Sequence, residues 1–235
     1  MFFFSFFCIL LNFPIWAVTE SRIELESVTW DMSDKGSIER GAENFKNNCM
    51  SCHSLRYARN NNVLAQAGIT QEMMPQWPSD SWGGHPPPDL SLMARQMGED
   101  WIYTYLHAYY QDSSRPTGFN NLVYPHTNMP NPFITSQGLQ VLIADDLLAE
   151  DLSDKRWYQV IKLHAQGNMS PVIFDRYVLD IVHFLAFISD PSVDERHALA
   201  PWVLGYLLLL IVATSLVYHY HRKDATKSRT RSRRQ

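Results

Sequence analysis

Two cysteines and a histidine stand close together in the segment Cys49-Met50-Ser51-Cys52-His53. Two thiols three positions apart on one helical turn can add to the two vinyl groups of a haem, and the histidine that follows can bind the iron. A structural zinc site would need a second pair of ligands, and the only other cysteine is Cys8. A redox-active dithiol would not need the histidine. The spacing favours one covalent c-type haem on Cys49 and Cys52, with His53 as an iron ligand.

A sixth iron ligand is expected further along the chain. Met129 lies in a proline-rich stretch, and a thioether on a rigid loop raises the reduction potential of the iron relative to two imidazoles. Met169 competes with it, but its place just before Ser170 and Pro171 suits packing at the start of a helix. His126 is a second alternative. The sequence therefore predicts Met129 as the ligand and leaves these two residues as alternatives.

Buried haem propionates need a cationic partner with several donors, which arginine supplies. Arg95 lies on a segment that we expect to flank the haem. A lone arginine is as often a solvated surface group, so the residue pattern alone leaves both roles open for Arg95.

Two helices are expected to position the paired cysteines. A helix from Ser37 to Asn48 would lead into them, with Gly41, Phe45 and Cys49 on one face because they are spaced by four residues. The small residue favours close packing against another helix. Residues 171–189 carry an apolar stripe at helical spacing and predict a helix that crosses the first.

Between and around these two helices, the sequence predicts short elements joined by long loops at 60–88 and 111–135. The predicted elements are a short helix through Met97 capped by Asp89 or Ser91, a helix from Trp101 to Tyr110, and a β-hairpin of Gln140 to Ile143 and Trp157 to Leu163 with an acidic tip at 145–154.

The first residues, 2–16, are almost wholly apolar and precede a polar stretch that begins at Thr19. This pattern predicts a signal peptide at 1–17, cleaved after Ala17, which would remove Cys8. Because no lysine or arginine precedes the apolar run, an uncleaved anchor is the alternative.

Near the other end, Trp202 to Tyr220 form a run of nineteen residues without an acid, lysine or arginine. As a helix this run would be about 28 Å long, close to the thickness of a bilayer core. Aromatic residues at both ends and the lack of a polar face favour a membrane span over a buried core helix. Pro201 would suit the first turn of that helix.

Seven lysines or arginines and one acid follow the span, whereas residues 1–220 carry 23 acids and 13 bases. The positive-inside rule places such a tail in the cytoplasm, and the remainder then lies in the periplasm. The predicted domains are 18–197 for the periplasmic haem domain, 198–221 for the anchor and 222–235 for the basic tail. An acidic exported domain suits a basic soluble partner, and nucleic-acid binding is not expected.

Several short segments occur in a characteristic order, and the chain ends in a single predicted anchor. They are the Cys49 to His53 motif, Pro88-Asp89-Leu90-Ser91, Ala94-Arg95 before Gly98-Glu99-Asp100-Trp101, Asn128-Met129-Pro130, and Met169-Ser170-Pro171. In this order the chain resembles the cytochrome c1 family over nearly all of its length after the signal. We therefore expect a mostly α fold, in which a class I cytochrome c-like haem domain carries a small β-hairpin and one C-terminal transmembrane helix.

The resemblance implies that the chain is the redox subunit of the cytochrome bc1 complex, a respiratory quinol:cytochrome c oxidoreductase, and that it lies in a bacterial inner membrane. It implies cytochrome b and a Rieske iron-sulfur protein as partners, in a dimeric complex. An electron would pass from the Rieske protein through the haem of this chain to a soluble cytochrome c, without acid-base catalysis. Residue by residue, it implies that Cys49 and Cys52 hold the haem, His53 and Met129 bind the iron, and Arg95 meets a propionate. A stand-alone anchored cytochrome that feeds an oxidase and a haem-based sensor are the alternatives.

Overall fold

A computed structural model of the chain describes residues 23–29, 31, 33–58, 62–144 and 151–232. The predicted signal peptide with Cys8, and residues 145–150 of the predicted acidic tip, lie outside these ranges. The chain forms two units, of which the first ends at Asp190 and the second begins at Pro191.

About half of the described residues are helical, and short strands pair in two antiparallel couples, which confirms the predicted fold class. The helices of the first unit are α1 (Lys35–Asn48), α2 (Asn62–Gln66), α3 (Ser81–Gly84), α4 (Met93–Met97), α5 (Glu99–His107), α6 (Trp157–Val160) and α7 (Pro171–Ser189), with a 3-10 turn at Gln71–Met73. The strands are β1 (Tyr109–Gln111), β2 (Phe119–Asn121), β3 (Gly138–Leu142) and β4 (Ile161–Gln166), and β1 pairs with β2 while β3 pairs with β4.

Helices α1 and α7 pack closely, as the sequence predicts. A Cβ atom at Gly41 would overlap the backbone carbonyl of Asp180 and would lie 2.7 Å from Cβ of Phe184. One turn later the rings of Phe45 and Phe184 are 5.5 Å apart between centroids. Because Gly41 has no side chain, the backbones of α1 and α7 can approach closely. This packing holds the end of α1 against the core.

A polar cluster crosses the same interface. The Asp180 side chain is only 4% exposed. The Arg40 guanidinium donates hydrogen bonds to both oxygens of its carboxylate, at 2.7 and 2.9 Å. The Ser37 hydroxyl donates to Asp180 and lies 2.7 Å from Nδ1 of His183. These bonds satisfy a buried charge and fix the rotation of α1 on α7, since a buried carboxylate without partners would cost several kcal/mol.

Predictions for three segments are wrong. The helix from Trp101 ends at His107, because Tyr109 pairs with Asn121 in a β-ladder. The predicted loop at 111–135 therefore contains β2. Residues 157–160 form α6 instead of strand, since the Gln159 side chain accepts the backbone N–H of Arg156 at 2.8 Å and closes a helical turn.

The starts of α4 and of the C-terminal helix also differ from the predicted ones. Helix α4 begins after Leu92 without a side-chain cap, and the Asp89 carboxylate accepts from other donors near the cysteine turn. Pro201 lies inside a longer helix, α8 (Val193–Ser232), whose start at Val193 puts the proline past the first turn. Its missing N–H leaves one backbone acceptor of α8 without its usual donor.

The second unit contains the predicted apolar helix. Within α8, the stretch Glu195–Arg222 is 28 residues long and apolar enough to cross a membrane by length and composition. Its side chains are exposed throughout the apolar stretch. This stretch contains the predicted span from Trp202 to Tyr220 and extends it at both ends.

Replacing Gly41 with alanine should destabilise the protein, because the new methyl group would meet the Asp180 carbonyl and push α1 off α7. We expect a loss of about 3 kcal/mol in the free energy of unfolding, the upper range for overpacking. Chemical unfolding of the detergent-solubilised protein measures it.

Gly36→Ala is the matched control on α1, because its Cβ would come no closer than 3.3 Å, to the far end of the Arg40 side chain. It should leave stability unchanged or raise it by up to about 1 kcal/mol. Equal stabilities for the two variants would contradict the packing role of Gly41.

Candidate haem-binding site

The two cysteines and the histidine lie on one tight turn at the end of α1. Cys49 caps the helix, its N–H donating to the Phe45 carbonyl at 2.8 Å. The N–H groups of Cys52 and His53 both donate to the Cys49 carbonyl, at 3.0 and 2.8 Å. Both thiols are free, with Cys49 buried and Cys52 partly exposed. The backbone thus holds two free thiols and one imidazole together before any group binds them.

The chemistry of these thiols argues against the two alternatives to haem. Burial, reinforced by Cys52, raises the pKa of Cys49 to about 12. A redox dithiol works through a thiolate with a lowered pKa, so Cys49 is poorly suited to that role. Within the described part of the chain, no three histidine, cysteine or acidic side chains come together as metal ligands, so a closed zinc site is not formed there either.

His53 presents one ring nitrogen to the protein and keeps the other available. Its Nδ1 lies 2.8 Å from the Pro88 carbonyl, which can only accept, so Nδ1 carries the proton and Nε2 keeps its lone pair. Burial lowers the pKa of His53, although the Pro88 carbonyl and Asp89 oppose the shift. A neutral imidazole with a fixed tautomer is the form that binds iron.

Asp89 holds the Pro88 segment beside the motif. Its carboxylate accepts the Ser54 hydroxyl at 2.7 Å, the Arg56 N–H at 2.7 Å and the Ser91 N–H at 2.9 Å. Burial raises the pKa of Asp89, but these hydrogen bonds outweigh it and leave the pKa below its ordinary value. The residues after His53 and those after Pro88 are therefore tied to one carboxylate.

A pair of tryptophans lies against the outer side of the turn. The Trp77 indole N–H donates to the Cys52 carbonyl at 2.8 Å, and the Trp82 ring meets the Trp77 ring edge-on at 5.8 Å. Trp82 adopts a φ of +56°, which is uncommon for a residue with a side chain. Both rings are more than one third exposed, so this is a partly open aromatic surface beside Cys52.

Met129, the predicted sixth ligand, sits on a loop whose backbone is shaped by asparagine side chains. Asn121 accepts the Val123 N–H at 2.9 Å, and Asn120 accepts the His126 N–H at 2.8 Å. The Met129 N–H donates to Thr127 at 3.2 Å. These bonds replace regular secondary structure, so the half-buried thioether is presented by a defined loop.

Two buried tyrosines form a hydrogen-bonded chain that ends on Met129. The Tyr105 hydroxyl donates to the Met129 sulfur at 3.5 Å and accepts from the Tyr109 hydroxyl at 2.7 Å. Burial raises the pKa of Tyr109 well above its usual range, and Tyr105 and Cys49 add to the shift. The Met129 sulfur is thus held by a chain of two buried hydroxyl groups, and its role as an iron ligand stays a prediction.

The two alternative ligands, Met169 and His126, lie in different settings. The Met169 N–H donates to the Ser136 carbonyl at 3.1 Å, and its side chain packs on the core just before α7. His126 is exposed and adopts a φ of +64°. The packing of Met169 explains that residue without an iron atom, and the choice of Met129 over Met169 and His126 stays a prediction.

Arg95 lies on α4 with an exposed side chain. Among the described residues, none forms a hydrogen bond or an ion pair with Arg95. Its guanidinium is therefore available to a bound anionic group. Its role toward a propionate stays a prediction.

The donor set suits a c-type haem. Two free thiols on one turn can form two thioethers, the His53 Nε2 can bind the iron, and the Met129 sulfur can bind it from a separate loop. These four side chains were predicted from local sequence signals, and their role toward a haem stays a prediction. The contacts of Pro88, Trp77 and Tyr105 were not predicted, although Pro88 belongs to one of the segments that carry the family resemblance.

Replacing Asp89 with alanine should lower the free energy of unfolding by about 1 to 2 kcal/mol at pH 7, because buried donors lose a charged acceptor. The folded pKa lies below the unfolded value, so the contribution is full above about pH 4. It is lost as the pH falls through the folded pKa. Unfolding measured from pH 7 to pH 2 tests this.

Asp151→Ala is the control, since among the described residues Asp151 bonds to Ser153 within its own exposed turn. It should change stability by less than about 0.5 kcal/mol at any of these pH values. A difference between wild type and Asp89→Ala that stayed constant down to pH 2 would exclude the carboxylate as its source.

Comparison with known proteins places residues 77–227 within the family model described as the cytochrome C1 family. Cytochrome c1 from Allochromatium vinosum is 33% identical over 219 residues, which cover 85% of this chain and 89% of that protein. The ammonia monooxygenase gamma subunit from Nitrosomonas europaea is 29% identical over 221 residues, covering 86% of this chain and 89% of that protein. Cytochrome c1 from Blastochloris viridis is 23% identical, covering 78% and 80%. The family match contains Met129, while the Cys49 to His53 turn precedes it.

Proposed function

Since this chain belongs to the cytochrome c1 family, we propose that it carries one haem, bound covalently by Cys49 and Cys52, with His53 and Met129 as the iron ligands. The family is that of the haem electron-transfer subunit of bc1-type complexes, whose other redox subunits are cytochrome b and a Rieske protein. The observation that carries the proposal is the turn at the end of α1. It holds two free thiols beside an imidazole whose Nδ1 is already bonded to Pro88.

A haem bound there would supply the one-electron couple of its iron. The protein's own contribution is to set the potential and to position the redox centre. His53 is kept neutral by burial, and its ring is fixed by the Pro88 carbonyl. The thioether of Met129, bound to the iron, would favour the reduced state relative to a second imidazole. We assign Arg95, whose side chain is exposed on α4, to a propionate.

In the complex we propose that this chain takes an electron from the Rieske protein and delivers it to a soluble cytochrome c. The acidic balance of residues 1–220 supports a basic acceptor, because opposite charges speed the encounter of redox partners. No acid-base step is assigned to the chain itself. By resemblance to the family, the complex is a dimer.

We propose that α8 anchors the chain once in the lipid of a bacterial inner membrane. The stretch Glu195–Arg222 has the necessary length and composition. The basic residues that follow it support a cytoplasmic C-terminus, with the haem unit 18–197 in the periplasm. Export requires a signal, which we assign to residues 1–17.

The function is tested by adding quinol to membranes that contain the complete complex and following the reduction of the c-type haem. Fast reduction that quinol-site inhibitors block is the expected result. Ascorbate, added after inhibition, controls for a competent haem. A haem that ascorbate reduces and quinol does not, in membranes shown to retain cytochrome b, would instead indicate a stand-alone anchored carrier.

Met129→Leu should remove the charge-transfer band that a methionine sulfur gives with ferric iron, because leucine has no donor atom. The reduction potential should fall by on the order of 0.1 V, since axial ligands set much of its range. The covalent haem should persist, which gel staining for bound haem measures.

Met169→Leu is the matched control and should leave the band and the potential as in wild type. If Met169→Leu removed the band and Met129→Leu kept it, the two assignments would have to be exchanged. Carbon monoxide binding by the ferrous wild-type protein would contradict a permanent methionine ligand.

A further inference from the structure

The Tyr105 hydroxyl is surrounded by three partners in the interior of the first unit. The Tyr109 hydroxyl lies 2.7 Å away, the Thr127 hydroxyl 3.0 Å away, and the Met129 sulfur 3.5 Å away. Tyr109 has none of its surface exposed, and Tyr105 and Thr127 are also buried. Water therefore has little access to these groups, and they must satisfy one another.

The number of donors fixes the direction of these bonds. A thioether sulfur has no proton, so the contact with Met129 needs the single proton of Tyr105. Tyr105 must then accept from both neighbours, with Tyr109 and Thr127 each donating. Thr127 has an acceptor site left, and it takes the Met129 N–H at 3.2 Å. All hydroxyl protons are used once, and both the sulfur and the amide of Met129 are held.

The Tyr105 ring is fixed by its neighbours on both sides. It stacks on Trp101 at 4.9 Å with 9° between the planes, and it meets the Tyr109 ring at 5.3 Å and 66°. Burial raises the pKa of Tyr105, against the hydrogen bonds from Thr127 and Tyr109 that lower it. The phenol therefore stays protonated at neutral pH and remains a donor.

We propose that Tyr105 is a positioning residue that orients the Met129 sulfur for the iron and raises the reduction potential by donating a hydrogen bond to it. The inference rests on the proposed ligation by Met129. A thioether that binds iron uses one sulfur lone pair for the metal and keeps a second, which can accept a hydrogen bond from the Tyr105 hydroxyl. A donor on that lone pair withdraws electron density from the sulfur. Ferric iron depends more on that density than ferrous iron does, so the bond favours the reduced state.

The orienting part of the role follows from the loop. Met129 is only half buried and is held by the backbone of an irregular segment rather than by a helix. Without Tyr105 the thioether could turn away from the iron at little cost. The hydrogen bond therefore opposes dissociation of the Met129 sulfur from the iron and also raises the reduction potential.

The test is Tyr105→Phe, which keeps the stacked ring and removes the hydroxyl, so that Met129 loses its donor and Tyr109 and Thr127 lose their acceptor. In the complete complex, the potential should fall below that of wild type. Imidazole should bind the ferric protein between about two and ten times more tightly, the range that one hydrogen bond corresponds to. Bound haem and the charge-transfer band of the methionine are recorded in the same samples.

Tyr103→Phe is the matched control, because it makes the same change on α5 at a ring that packs on His107 at a centroid distance of 4.2 Å. It should keep the wild-type potential and imidazole affinity. An equal shift in both variants would mean a general effect on the helix and would overturn the assignment. So would a Tyr105→Phe protein that matched wild type in both measurements.

Thr127→Val provides a second test if Tyr105→Phe does not accumulate. It removes a donor to Tyr105 and the acceptor of the Met129 amide, so imidazole affinity should again rise, and an unchanged affinity would count against the network. Failure of the underlying ligation would look different. If the wild-type protein lacked the methionine band and bound imidazole as readily as the Met129→Leu variant does, Met129 would not be the iron ligand.

Discussion

The close approach of α1 and α7 at Gly41 is the constraint on which the candidate site depends. Helix α1 ends in the cysteine turn, so its height and rotation on α7 decide where the two thiols and the imidazole lie. The backbone of α7 fills the space that a side chain at Gly41 would need. The Arg40, Asp180 and Ser37 cluster then fixes the rotation with buried polar bonds. Apolar contact and polar bonds act together on one interface.

Around this fixed turn, the site is built from loops that side chains hold in shape. Asp89 ties the segment after His53 to the segment after Pro88. Asn120 and Asn121 do the same for the residues that lead to Met129. Each buried acceptor replaces the hydrogen bonds that a helix or strand would have provided. A prosthetic group needs walls on several sides, and such loops can curve where regular elements cannot.

Much of the fold could be predicted where the signal is periodic. The bounds of α7 were predicted correctly because its apolar stripe repeats over five turns and a proline lies at each end. Helix α1 began two residues earlier than expected because Asp34 caps it, accepting the Ser37 N–H at 2.9 Å. The predictions failed at Tyr109 and at Trp157, where short segments of β-forming composition had to choose between helix and strand. At Tyr109 the outcome depends on pairing with Asn121, which lies further along the chain, and at Trp157 it depends on the helical turn that Gln159 closes with Arg156.

The sequence by itself determined the spacing of the candidate haem-binding residues and the apolar run of the C-terminal helix. The spacing of Cys49, Cys52 and His53 lies within one helical turn, and the apolar run of α8 is a property of composition, so neither depends on distant residues. Only the tertiary structure decided which groups support these side chains. Pro88 reaches His53 across 35 positions and Tyr105 reaches Met129 across 24. Such bonds have no signature in local sequence, because they exist only when packing brings the two segments together.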